Sequence, residues 1–115
     1  MRQLQFQAVN ENRVLPLKLV TLVEALASYD MIYIYHHLYK GAKLQLKRDE
    51  DYPLNNQAVA VYFKGFKLGY LPEAAAKAVV KQMLSSNTAK AIVSGMCKNK
   101  YMPLSGLDVE LIFEN

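Results

Sequence analysis

The side chains in this sequence that could do chemistry are cations and phenol rings. Lys43 and Lys47 recur on the polar side of one alternating segment, Arg48 follows them, and Lys64 and Lys67 flank the next hairpin. Tyr29, Tyr52, Tyr70 and Tyr101 fall in or beside expected loops. Holding a single-stranded nucleic acid needs both kinds of group: cations along the phosphate path, and ring faces for bases, each stacked base contributing about 1–3 kcal/mol. The same residues also fit a bland reading, in which the rings are core edges with wet hydroxyls and the lysines are solvated surface. Spacing alone leaves both readings open.

Other reactive types point to little. Asp49, Glu50 and Asp51 offer oxygen ligands of the kind Mg²⁺ or Ca²⁺ prefers, but no glycine-spaced calcium loop accompanies them, so a solvated acidic turn is expected. His36 and His37 are adjacent, and neighbours diverge by about 100° on a helix or point to opposite faces of a strand, which disfavours joint chelation. Lys98 and Lys100 beside Cys97 would favour a thiolate, yet nothing in the sequence places a base near it. There is no Gly-x-Ser-x-Gly elbow, phosphate loop, paired-cysteine metal motif or dinucleotide fingerprint. The expectation is a non-catalytic binding module without metal or cofactor.

The elements that must position these groups fit one domain. A chain of 115 residues suits a single domain, here 1–115, and 52% apolar residues supply a core. Between residues 31 and 100 there are eleven basic side chains against four acidic ones, so a polyanion is a plausible partner by Coulomb attraction and counterion release. Cys97 is the sole cysteine, which excludes an intrachain disulfide and favours the cytoplasm. Residues 1–9 lack a signal-peptide layout, and Lys18, Glu24 and Asp30 interrupt the richest apolar stretch well short of the roughly 20 residues a bilayer requires. Neither secretion nor a membrane partner is expected.

Leu4, Phe6 and Ala8 alternate with glutamines, a strand pattern, before a turn at residues 10–12. Residues 17–27 and 31–39 fit strand and helix equally by periodicity. From Ala42 the signals sharpen. Leu44 and Leu46 oppose Lys43, Gln45 and Lys47 on one strand, residues 49–56 form a loop, and residues 57–63 make a strand apolar on both faces. Lys64-Gly65 suits a tight hairpin into residues 66–70. Pro72 and Glu73 open a helix whose apolar stripe is Ala76, Val79, Val80, Met83 and Leu84, with Lys77 and Lys81 toward water. Residues 88–95 and 107–113 are two more strands. Several short strands and one main helix predict a mainly β, α+β fold: a small antiparallel barrel or curled sheet.

Three segments follow one another along the chain: Gly41-Ala-Lys-Leu-Gln-Leu-Lys-Arg-Asp49, then Tyr52-Pro-Leu-Asn-Asn-Gln-Ala-Val-Ala-Val61, then Lys67-Leu-Gly-Tyr-Leu-Pro72. In this pattern the stretch from Gly41 to Leu71 resembles the HIRAN domain family. The likeness spans about two thirds of the chain, and Ser28-Tyr29-Asp30 falls where the family carries a tyrosine cluster. It implies an OB-like barrel, a strand over residues 19–27 and a short helix over 31–38. It also implies a DNA-binding module that grips single strands or their 3′ ends, associated with DNA repair, with any motor or nuclease supplied by a separate protein. With the cations and rings singled out above, the expected site comprises Tyr29, Lys47, Arg48, Tyr52, Asn55, Lys67, Tyr70 and Tyr101. The sequence departs from the family at the loop, where Leu54 and Asn55 replace a stacking tyrosine and an acidic hydroxyl acceptor, and at Glu73, where a lysine is common. An alternative is a protein-interaction or assembly module that keeps the barrel without end recognition, docking through residues 33–39. A monomer or weak dimer is expected.

Overall fold

The computed structural model describes residues 17–51, 57–84, 88–97, 104 and 106–114. The strand expected around Leu4 to Ala8 and the turn after it lie outside these residues. Six antiparallel strands form one sheet in the order β1-β6-β5-β2-β3-β4: β1 Leu17–Leu22, β2 Lys43–Asp49, β3 Ala58–Phe63, β4 Phe66–Tyr70, β5 Thr88–Cys97 and β6 Gly106–Glu114. Two helices accompany them, α1 Met31–Ile34 and α2 Glu73–Leu84. The fold is mainly β. Among the described residues, no helix is long and apolar enough to cross a membrane.

The alternation read from the sequence sets the faces. Leu44 of β2, Val59, Val61 and Phe63 of β3, and Leu107, Val109, Leu111 and Phe113 of β6 all point into one core with Leu19, Leu68 and Val93. α2 covers that core with Ala75, Ala76, Val79 and Val80. Met83 and Leu84, expected on the same stripe, are exposed instead. Helical spacing carries the stripe onward, but whether its last turn is buried depends on whether the sheet still lies beneath it.

Lys64 and Gly65 turn β3 into β4 with φ of 49° and 87°, as a tight hairpin with two left-handed residues requires. The ambiguous segments resolve by context. Residues 17–22 are strand, because Leu19, Thr21 and Val23 face the core while β6 supplies the ladder. Residues 31–34 are α-helical and a 3-10 turn, Tyr35–His37, follows, with Met31, Ile34 and Leu38 buried. Both assignments follow the family-like order, though each element is shorter than expected.

The ladder does not run continuously around a barrel. Its two edges, β1 and β4, are linked just beyond Leu22 by a bridge between Glu24 and Tyr70, with Glu24 N–H donating to Tyr70 O at 2.7 Å and Tyr70 N–H to Glu24 O at 2.9 Å. Gly69 permits this approach. A Cβ there would collide with the Glu24 carbonyl oxygen and sit 2.8 Å from Val23 Cγ1. Directly after the bridge Ala25 takes a left-handed φ of 61°, an uncommon conformation for alanine, and the chain turns toward Tyr29.

Candidate nucleic-acid interface

Strand register lays out the site. On the side of β2, β3 and β4 away from the main core, Lys47, Ala60 and Tyr70 stand in one row, Gln45, Tyr62 and Lys67 in the next, and Asp49 opposite Ala58. Ala58, Ala60 and Tyr70 form a second buried cluster, with Tyr29 and Tyr62 packed against it. The alanines matter for their size: methyl groups leave room for rings to lie close to the sheet.

Lys67 is the hub. Its ammonium donates to the Tyr70 hydroxyl at 2.5 Å, lies 3.9 Å from Asp49 Oδ2, and sits 4.4 and 4.3 Å from the ring centroids of Tyr29 and Tyr70. The Tyr70 hydroxyl in turn donates to Asp49 Oδ2 at 2.6 Å. The Tyr29 and Tyr70 rings meet edge to face, centroids 5.7 Å apart. Two hydrogen bonds at the main chain hold the same corner. Lys67 N–H donates to Asp30 Oδ2 at 3.1 Å, and Asp30 N–H donates to Lys67 O at 2.9 Å. Asp30 thus satisfies part of the outer edge of β4 and places the neighbouring Tyr29 over Lys67.

Charge and burial reinforce this arrangement. The Tyr70 hydroxyl, helped by the Asp51 N–H and the Lys67 charge, holds the Asp49 carboxyl below its ordinary range against the opposing effect of burial. Burial, then the bond to Asp49 and the contact with Tyr29, push the Tyr70 phenol well above its ordinary range. At neutral pH Asp49 is therefore a carboxylate and Tyr70 a neutral phenol.

The structure brings Tyr29, Lys67 and Tyr70 together from separate parts of the chain. Lys47 lies on the same face on β2, two strands from β4, its Nζ 4.6 Å above the Tyr62 ring. Arg48 has the opposite parity on β2 and pairs with Glu50 at 3.5 Å. Tyr52, Asn55 and Tyr101 lie outside the described residues. Tyr70 is only 5% exposed and its hydroxyl is engaged by Lys67 and Asp49, so it offers no open ring face. Sequence reasoning did not single out Asp49, Asp30 or Tyr62 for this site. Asp49 reads as part of an acidic loop, and Tyr62 sits in a strand apolar on both faces; counting alternate residues from Ala58 was the available signal for Tyr62.

A family model for the HIRAN domain matches residues 21–109. No curated protein matches the chain by sequence. Among solved structures, the chain is similar to a protein from Lactobacillus plantarum at 19% identity and a TM-score of 0.70, covering 84% of this chain and 92% of that one. It is also similar to the HIRAN domain of human HLTF, at 19% identity and a TM-score of 0.66, covering 84% and 74% of the two chains. At such identity these likenesses establish the fold alone. The match over residues 21–109 takes in Tyr29, Asp49, Lys67 and Tyr70 together with the strands that assemble them, and on it the chain belongs to the HIRAN domain family.

Proposed function

We propose that this chain is a non-catalytic nucleic-acid-binding module that holds single-stranded DNA or DNA ends on the outer face of β2, β3 and β4. The observation that carries this reading is the convergence on one face of Tyr29, Lys67, Tyr70 and Asp49, drawn from three separate stretches of sequence. Lys43 and Lys47 are exposed on the same side of β2, supplying cations for phosphates, while the partly exposed Tyr29 ring supplies a surface for a base. Membership of a family of DNA-binding modules supports the same conclusion. On this reading the cytoplasm is its compartment, DNA repair its setting, and a separate motor or nuclease its working partner.

Fluorescence anisotropy with single-stranded, 3′-blocked and duplex oligonucleotides tests it. Salt-sensitive binding that favours single strands is expected, and absence of binding below roughly 100 μM, the weak end of ordinary non-specific affinity, refutes it. One observation favours a second reading as an assembly module: Ile32, Tyr33 and Tyr39 are 54%, 69% and 60% exposed, a run of large apolar side chains around α1. A stable dimer by mass measurement, together with silence toward every oligonucleotide, is the result that would establish that alternative.

A further inference from the structure

Tyr62 and Lys47 form a pair apart from the Lys67 cluster, and their surroundings differ in a way that matters for binding. Lys67 is engaged by Tyr70, Asp49 and two ring faces. Arg48 has Glu50, Lys18 has Glu110 and Lys77 has Glu73. Lys47 is exposed, and among the described residues it has no carboxylate partner; its ammonium rests over the half-buried Tyr62 ring. An exposed lysine over a ring is held by roughly 0.5–1 kcal/mol, little enough to be exchanged for a stacked base and a phosphate. Packing against the Ala58, Ala60 and Tyr70 cluster restrains the ring in advance, so little entropy is lost when a base lands on it.

The charges on this side of the sheet identify the occupant. Lys43 stands on the same face of β2, about 13 Å from Lys47 at strand spacing. Asp49, the carboxylate on the same face of β2, is engaged by the Tyr70 hydroxyl and the Lys67 ammonium, and Asp108 and Glu110 belong to β6, on the far side of β5 and away from Tyr62. A phenol ring between lysines along a strand suits a polyanion that carries flat apolar groups.

We propose that Tyr62 and Lys47 form a second subsite for single-stranded nucleic acid, with Tyr62 stacking one base and Lys47 neutralising its phosphate, beside the Tyr29–Lys67–Tyr70–Asp49 cluster. This inference rests on the reading of the chain as a nucleic-acid binder. It extends the strand's path across β3 toward β2 and adds a contact that the cluster does not provide.

Anisotropy titrations of the whole chain with an oligothymidylate, and with an abasic strand of the same length, test it across a salt series. Tyr62→Leu is expected to weaken oligothymidylate binding roughly 5- to 150-fold, the equivalent of one lost stacked base, with an unchanged salt slope. Tyr62→Phe, which keeps the ring, stays within about twofold of the wild type. On the abasic strand, which keeps the phosphates and lacks bases, Tyr62→Leu and wild type bind alike. Lys47→Met lowers the slope of log K against log salt by about 0.7, one phosphate contact on a single strand. Melting curves confirm that each variant is folded, and Lys47→Met, at an exposed position, keeps the test available should Tyr62→Leu fail to fold. If the wild type binds while Tyr62→Leu and Lys47→Met match it in affinity and slope, the subsite is overturned and the broader reading stands. If the wild type binds no oligonucleotide, both fall.

Discussion

Replacing Gly69 with alanine tests how the edges of the sheet are joined. The added methyl group would lie far inside van der Waals contact with the Glu24 carbonyl oxygen and come within 2.8 Å of Val23 Cγ1. That oxygen accepts the Tyr70 N–H at 2.9 Å and belongs to the main chain, so it cannot swing aside as a flexible side chain would. The bridge must therefore separate. Two backbone hydrogen bonds at a net value of about 1 kcal/mol each are lost, and crowding a packed site adds about 1–3 kcal/mol. Removing glycine's freedom from the unfolded chain returns up to about 1 kcal/mol. The expected destabilisation is about 2–4 kcal/mol, a large share of the 5–15 kcal/mol typical of a whole domain. At about 4 °C per kcal/mol for a domain of this size, the melting temperature falls by roughly 8–16 °C. Thermal melts followed by circular dichroism give the magnitude, and amide exchange gives the location, since Tyr70 N–H should lose its protection before the amides of β5 and β6. A Gly69→Ala chain that melts within about 2 °C of the wild type and keeps Tyr70 protected would refute the reasoning.

Three further outcomes follow from the cluster beside that bridge. Lys67→Met removes a cation that positions the Tyr29 and Tyr70 rings, so it should weaken single-strand binding while leaving the salt slope within about 0.2 of wild type; a loss of about 0.7 in slope would instead make Lys67 a direct phosphate contact. The raised Tyr70 pKa favours the neutral phenol in the folded state, so its contribution is present below the ordinary tyrosine value of about 10 and is lost as pH rises beyond it. The lowered Asp49 pKa acts in the opposite direction, its contribution being lost only as pH falls below the ordinary carboxylate value of about 4. Stability should then vary little with this cluster between about pH 5 and 9. In an alkaline absorbance titration one phenol should ionise after the others, and Tyr70→Phe should abolish that late step.

Much of the fold was legible in the sequence because the physics that sets it is local. Alternation over Lys43–Asp49, the doubly apolar run of Ala58–Phe63, the Lys64-Gly65 turn and the Pro72-Glu73 helix start each depend on neighbours a few residues away. Residues 17–39 were not legible on the same terms. Their apolar side chains suit either period, and the choice was made by β6 pairing with β1 and by the core receiving Met31, Ile34 and Leu38. The fate of Met83 and Leu84 likewise depended on where the sheet beneath α2 ends.

The linear order of residues carries the inventory of the site: which cations and rings the chain possesses, and that Lys43 and Lys47 share a strand face. Which of them meet is settled by the folded chain. Tyr70 reaches Asp49 across 21 residues of sequence and Lys67 reaches Asp30 across 37, contacts that depend on inter-strand register and on the closing bridge. Register is a property of two strands at once, so no pattern within either one could reveal that Lys67 is tied into a network while Lys47 is left beside a ring. Gly69 shows the same division: its place before Tyr70 is written in the chain, but its necessity comes from the Glu24 carbonyl that the fold brings against it.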